Sequence, residues 1–171
     1  MASGPRDQMI AAQIPHLRRY ARALIGDRAM ADDLVQDCLE RAWSRFHLWR
    51  DGSNLRTWLF TIMHNLHANA ARSAARRPKT VPLDETGMAA PIRAAQEDGL
   101  AVASIDAALA DLPDEQRQVI LLVGLEGMSY QEAAATIGVP VGTVMSRLHR
   151  GRERLRQTLG GGGGVALRRV K

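Results

Sequence analysis

A chain of 171 residues is long enough for one medium domain or two small ones, and 46% hydrophobic residues suffice to bury a core. Aromatics at 4% turn the expectation from a β-sandwich toward aliphatic helices; no window approaches 18 unbroken apolar residues, and the lone Cys38 excludes an internal disulfide framework and a multi-cysteine zinc site. The net charge of +5 is carried by arginines far more than lysines, a choice that suits phosphate and guanine contacts.

The N-terminus lacks a basic-then-apolar leader, so a cytoplasmic chain without membrane insertion is expected. Helical periodicity dominates and no stretch sustains a two-residue alternation, which predicts an all-α fold. The first block is read over 8–77. Pro15 marks a helix start or kink, and Asp27 is placed to cap a long helix. From Ala31 the residues Leu34, Val35, Cys38, Leu39, Ala42 and Phe46 fall on one stripe. Asp51-Gly52-Ser53-Asn54 breaks the chain, and Leu55 to Arg77 resumes helix on Leu55, Leu59, Ile62 and Leu66.

Residues 78–103 read as a flexible linker, interrupted by Pro78, Pro82, Gly87, Pro91 and Gly99, with room for a short helix at 92–98. The second block is read over 104–159. Leu112-Pro113 starts a helix, Ser129 and Glu132 form a capping box, Gly138 stops a short helix at 130–137, and Val141 to Leu159 is the last helix. A Gly-rich basic tail covers 160–171.

The short capped helix, the glycine turn and the long basic helix make a helix-turn-helix. On the long helix Val141, Val144, Leu148, Leu155 and Leu159 share one face. Thr143, Arg147, Arg150 and Arg154 share the opposite one, flanked by Ser146. Such a helix buries one side and lays the other in a major groove, where Arg binds guanine O6 and N7.

The first block adds two features. Five of the seven aromatics lie between 43 and 60, around the loop 47–54 and beside Arg50 and Arg56. Unpaired bases stack on aromatics next to cations. Trp43, Phe46 and Trp58 lie near core stripes and are expected to pack. Phe60 projects away from the Leu55/Ile62/Leu66 stripe, and core packing and base stacking stand even for it. The second feature is an acidic face of Asp33, Asp37 and Glu40, with Asp32 and Gln36 beside it. It would repel DNA and suggests a docking surface for a protein, although ordinary solvated charge is the simpler reading. His64 and His67 lack a third metal ligand, and there is no phosphate loop or nucleophile elbow. No enzyme, no cofactor and no metal is therefore expected.

These stretches resemble bacterial RNA polymerase sigma factors of the extracytoplasmic function (ECF) type. The resemblance rests on Ala31-Asp32-Asp33-Leu34-Val35-Gln36-Asp37, Arg56 through Asn65, Leu112-Pro113 with Arg117, Gly127 through Ala134, and Gly142 through Arg152. It implies a sigma region 2-like bundle and a sigma region 4-like helix-turn-helix. It also implies a sigma factor that directs core RNA polymerase to promoters, as an alternative stress-responsive factor held by an anti-sigma factor. By the same resemblance Asp32, Asp33, Gln36, Asp37 and Glu40 dock on core polymerase. Arg50, Asn54, Arg56, Phe60, Thr61, Asn65 and Arg72 recognise and melt the −10 element. Thr143, Ser146, Arg147, His149, Arg150 and Arg154 read the −35 element. Met145 departs from the family, which commonly has Arg there.

Two elements about 17 base pairs apart are separated by roughly 58 Å at about 3.4 Å per pair. A linker of about 26 residues reaches about 85 Å fully extended, but as a coil it averages about 30 Å. A free chain is therefore expected to hold its two blocks together, with the DNA surfaces partly hidden. Two other readings stay open: a stand-alone helix-turn-helix regulator, and a sigma mimic that titrates an anti-sigma factor.

Overall fold

Local signals place the helices of the first block. Pro5 and Pro15 sit in the first turns of α1 (Pro5–Ala11) and α2 (Ile14–Ile25), where the missing N–H has no helical partner to lose. Gly26 ends α2 with φ of 79°, a left-handed conformation open to glycine without a Cβ penalty. Asp27 Oδ1 then accepts the Met30 N–H at 2.8 Å and caps α3 (Arg28–Arg45), as the sequence predicts. A 3-10 turn (Phe46–Leu48) and a loop lead into α4 (Leu55–Arg76). Asn54 Oδ1 accepts the Thr57 N–H at 3.2 Å, so Asn54 caps α4.

This computed structural model describes residues 4–50, 52–76 and 97–160, and every regular element among them is helical. Most of the expected linker, 78–96, and the tail from 161 onward lie outside the described residues. The second block comprises α5 (Glu97–Ala110), α6 (Asp114–Ile120), α7 (Tyr130–Ile137) and α8 (Val141–Gly160). Helix α5 begins inside the stretch read as linker, at Glu97, and runs through Gly99 despite that residue's low helix propensity. Helix α6 runs directly into a π-turn, Leu121–Leu125, that closes with the Glu126 N–H on Leu121 O at 2.9 Å.

The capping box forms as predicted. The Ser129 N–H donates to Glu132 Oε2 at 2.8 Å, and the Glu132 N–H donates to Ser129 Oγ at 3.2 Å. Gly138, at φ of 70°, gives the turn between α7 and α8 its left-handed corner. Gly151 lets α8 approach α6: a Cβ there would lie 2.6 Å from Ile120 Cδ1.

The apolar stripes meet in one continuous core. Leu34, Val35, Cys38 and Ala42 of α3 pack with Leu17 and Leu24 of α2 and Leu59 and Ile62 of α4. The same cluster continues through Val119, Leu122, Ile137, Val144 and Leu148 of the second block. Each valine, leucine or isoleucine so removed from water contributes about 1.5–3 kcal/mol. The two blocks are thus packed on each other, chiefly through α4 against α7 and α2 against the π-turn.

Two aromatics differ from expectation or decide between readings. Trp43 is 38% exposed, held at the surface by its Nε1–H on Asp7 Oδ1 at 3.2 Å. Its position one residue beyond Ala42 turns the indole off the α3 stripe. Phe60 is 1% exposed and meets Tyr20 edge-to-face at 5.2 Å, so in this conformation core packing holds it. Phe46 and Trp58 pack as expected, with ring centroids 6.2 Å apart.

Candidate nucleic-acid interface

The long helix α8 presents its two faces as its sequence predicts. Val144 and Leu148 are buried, while Ser146, His149, Arg150 and Arg154 are exposed and Thr143 is half-buried at the helix start. Ser146 Oγ donates to Thr143 O at 3.0 Å, and Arg150 Nε donates to Ser146 O at 3.3 Å. Arg147 differs from its predicted neighbours. Its position borders the Gly151 side of the helix, and its guanidinium turns toward α6 to meet Glu115 at 2.8 Å. Met145, 53% exposed, adds a bare apolar side chain to the same end of the helix.

The acidic face lies on the outside of α3. Asp33, Gln36, Asp37 and Glu40 are exposed, with Gln36 Nε2 donating to Glu40 Oε1 at 3.1 Å. Asp32 is half-buried and engaged by Arg22 at 3.4 Å and Arg28 at 4.0 Å. The unbalanced charge is therefore concentrated on Asp33, Asp37 and Glu40.

The third surface, around the loop to Asn54 and helix α4, faces the second block. Asn54 Nδ2 donates to Glu132 Oε1 at 2.7 Å. His64 Nδ1 donates to Gln118 Oε1 at 2.7 Å, and His67 Nε2 donates to Asp114 Oδ1 at 2.9 Å. Arg56 reaches both the backbone oxygen and Oε2 of Glu126, each at 2.6 Å, with its guanidinium 5.8 Å from the Phe60 ring. Thr61 Oγ1 bonds back to Thr57 O at 2.8 Å. Arg50, Asn65 and Arg72 are exposed, and Arg72 donates to Asn69 Oδ1 at 2.7 Å. Of the residues expected at the −10 surface, the structure brings Asn54 and Arg56 against the second block, buries Phe60 against Tyr20, and leaves Arg50, Asn65 and Arg72 exposed.

Glu126 is the centre of that contact, and its side chain is fully buried. Arg19 Nε donates to Oε1 at 2.9 Å, and His16 Nδ1 donates to Oε2 at 3.1 Å beside the Arg56 bond. Burial pushes this carboxyl up, but the hydrogen bonds from Arg19, Arg56 and His16 outweigh it and hold it below the usual glutamate range. Burial lowers His64, more than its bond to Gln118 raises it. His67 holds Asp114 below the usual aspartate range, against the effect of burial. Cys38 is buried, its thiol pushed up to about 12, and its Sγ donates to Leu59 O at 3.5 Å, so it is an inert core residue.

Sequence reasoning missed Glu126, His16, Arg19 and Gln118. No local pattern distinguishes a glutamate in a polar loop from one whose partners lie 70 to 110 residues away. The one available signal was the acidic excess of the second block opposite a basic first block.

Comparison with known proteins covers most of the chain. Residues 10–64 match the family described as the sigma2 domain of PhyR, and residues 103–155 match sigma-70 region 4. The ECF RNA polymerase sigma factor EcfG of Rhodopseudomonas palustris is 41% identical over 88% of this chain and 82% of its own length. The ECF sigma factor SigL of Mycobacterium tuberculosis is 38% identical, over 84% of this chain and 82% of its length. Among solved structures, the sigma factor RpoE of Bartonella quintana, bound to the anti-sigma factor NepR, superimposes with a TM-score of 0.75. It is 33% identical, over 91% of this chain and 97% of that one. CnrH in complex with the cytosolic domain of CnrY gives a TM-score of 0.67 at 27% identity, over 91% and 88% of the two chains.

Proposed function

This chain belongs to the ECF RNA polymerase sigma factors, and on that premise we propose that it is a dissociable promoter-specificity subunit of core RNA polymerase. The observation that carries the reading is the division of exposed charge. An acidic ridge stands on the outside of α3 with Asp33, Asp37 and Glu40 exposed, and a capped helix-turn-helix presents Arg150 and Arg154 to solvent. The ridge, Asp32, Asp33, Gln36, Asp37 and Glu40, docks on the polymerase. Helix α8 reads duplex DNA at −35 through Thr143, Ser146, His149, Arg150 and Arg154, with Arg147 joining once it leaves Glu115. The loop before α4 and α4 itself capture the opened −10 strand through Arg50, Asn54, Arg56, Thr61, Asn65 and Arg72, with Phe60 beneath Arg56. The boundaries proposed are 8–77 for the first domain, a linker from 78 to about 96 and a second domain to 159. Strand opening is driven by differential binding to the unpaired strand, without nucleotide hydrolysis and so without an enzymatic step. Tethering both domains on one polymerase raises the effective concentration of each.

An anti-sigma factor and an alternative, stress-responsive role complete the reading. Its support is that the similar sigma factor RpoE was captured with the anti-sigma factor NepR. A cytoplasmic location follows from the polymerase partner, and no described helix is long and apolar enough to cross a membrane. Reconstitution with purified core polymerase of the host tests the function: transcripts with new start sites are expected on host genomic templates. A second reading is a sigma mimic that only titrates an anti-sigma factor. It would leave the start sites of core polymerase unchanged while an anti-sigma factor still bound.

A further inference from the structure

Two arginines and a histidine of the first block converge on one point. His16 and Arg19 come from α2, a helix turn apart, and Arg56 comes from the first turn of α4. The point they share holds the Glu126 carboxylate, at 3.1, 2.9 and 2.6 Å respectively. The carboxylate is buried, yet its three partners keep side-chain exposures of 39%, 50% and 29%. The seat is thus roofed by the second block and otherwise reaches the surface. Arg56 Nε is buried there without a hydrogen-bond partner, so the guanidinium is one acceptor short even with Glu126 in place.

A carboxylate offers two anionic oxygens on one atom. So does the phosphodiester group of a nucleic-acid strand. A fork of arginines binds either one. We propose that His16, Arg19 and Arg56 form a phosphate seat for the opened DNA strand, and that Glu126 of the second block occupies this seat as a stand-in while the two blocks are packed together. The proposal rests on the reading of the first block as a single-strand-binding surface, and it adds α2 to that surface. Arg56 also lies against the Phe60 ring, so the seat stands beside the loop and helix where that strand would run. Because one set of donors serves both anions, DNA binding and block-to-block packing exclude each other at this point.

Phosphate contacts carry no sequence information, so fluorescein-labelled oligo(dT) is a sufficient probe for the full-length chain. Glu126→Gln keeps the shape of the side chain and removes its charge. Its Kd for oligo(dT) is expected to fall by about tenfold, the gain when a competent state held at roughly one part in ten becomes dominant. Adding Arg19→Ala to that variant should reverse most of the gain and flatten the slope of log K against log salt by about 0.7, the loss of one phosphate contact on a single strand. A melting curve for each variant checks that it folds. A second measurement uses the native Glu126 and so avoids any folding defect. Dyes on cysteines introduced at the exposed positions Ser44 and Gln157 report block separation, and saturating oligo(dT) should lower energy transfer between them. Unchanged affinity in Glu126→Gln, or oligo(dT) binding with no change in transfer, would overturn the seat. If core polymerase supplied with the wild-type chain still initiates at new sites, only the seat falls. If it does not, the sigma reading falls independently of the oligonucleotide result.

Discussion

Arg117 shows how much one side chain can organise. Its guanidinium donates to Leu109 O at 2.8 Å, Ala110 O at 2.7 Å and Leu112 O at 2.9 Å, closing the turn between α5 and α6. Its Nη1 also donates to Leu24 O, at the end of α2 in the other block, at 2.9 Å. A helix end leaves such carbonyls without partners, and a fixed fork of donors satisfies several at once. Arg117→Ala is expected to lower stability by about 2–4 kcal/mol in urea denaturation, and Arg117→Lys to recover only part of it. The sequence marked Arg117 as a family residue without a role, since its four acceptors are backbone atoms that no side-chain pattern announces. The caps at Asp27 and Ser129, by contrast, were legible because donor and acceptor lie three residues apart. Phe60 lay between these cases: its position off the stripe was visible, while the Tyr20 ring that covers it, 40 residues earlier in the chain, was not.

Helix α8 was the most legible element, because an amphipathic helix carries its own register. Its apolar face and its exposed Arg150 and Arg154 follow from a 100° step per residue. Arg147, at the edge between the two faces, is where the step ceases to decide and the partner Glu115 does. Arg150→Ala should weaken −35-dependent transcription by about 1–3 kcal/mol of discrimination at one position, read in a run-off assay on promoters with the −35 element intact and scrambled. Equal losses on both templates would remove Arg150 from base reading. On α3 the same reasoning isolates Asp37, exposed and with no ion pair among the described residues, from Asp32, which Arg22 and Arg28 already engage. Asp37→Arg should therefore reduce retention on immobilised core polymerase severalfold while leaving the melting temperature unchanged. Normal retention would return the acidic ridge to ordinary solvated charge.

At the scale of the whole molecule, linker arithmetic predicted that the blocks meet, but not which groups join them. Part of the joint is a row of polar contacts along α4, and three titratable groups of the joint, His64, Asp114 and Glu126, respond to acid with one sign. His64 is held below its ordinary value of 6.5, so the unfolded chain takes up protons at a pH where the packed one does not. Its contribution is complete above 6.5 and is lost as pH falls toward the depressed value. Asp114 and Glu126 are likewise depressed, so theirs are complete above the ordinary values of 3.8 and 4.5 and are lost only as pH falls below them. Of these three, only His64 has its ordinary value between pH 5.5 and 7.5. His64 faces Gln118, His67, Asp114 and Arg147, and a charge gained there would sit beside a second histidine and an arginine as well as the carboxylate. The urea midpoint of the wild-type chain should therefore be lower at pH 5.5 than at 7.5. His64→Asn, which keeps a donor for Gln118 Oε1 and cannot titrate, should show a smaller difference. The two midpoints differing equally in wild type and variant would place the acid sensitivity elsewhere in the joint. A smaller difference in the variant would locate it at the contact between α4 and α6, the place where the proposed −10 helix must part from the −35 domain before both can lie on one promoter.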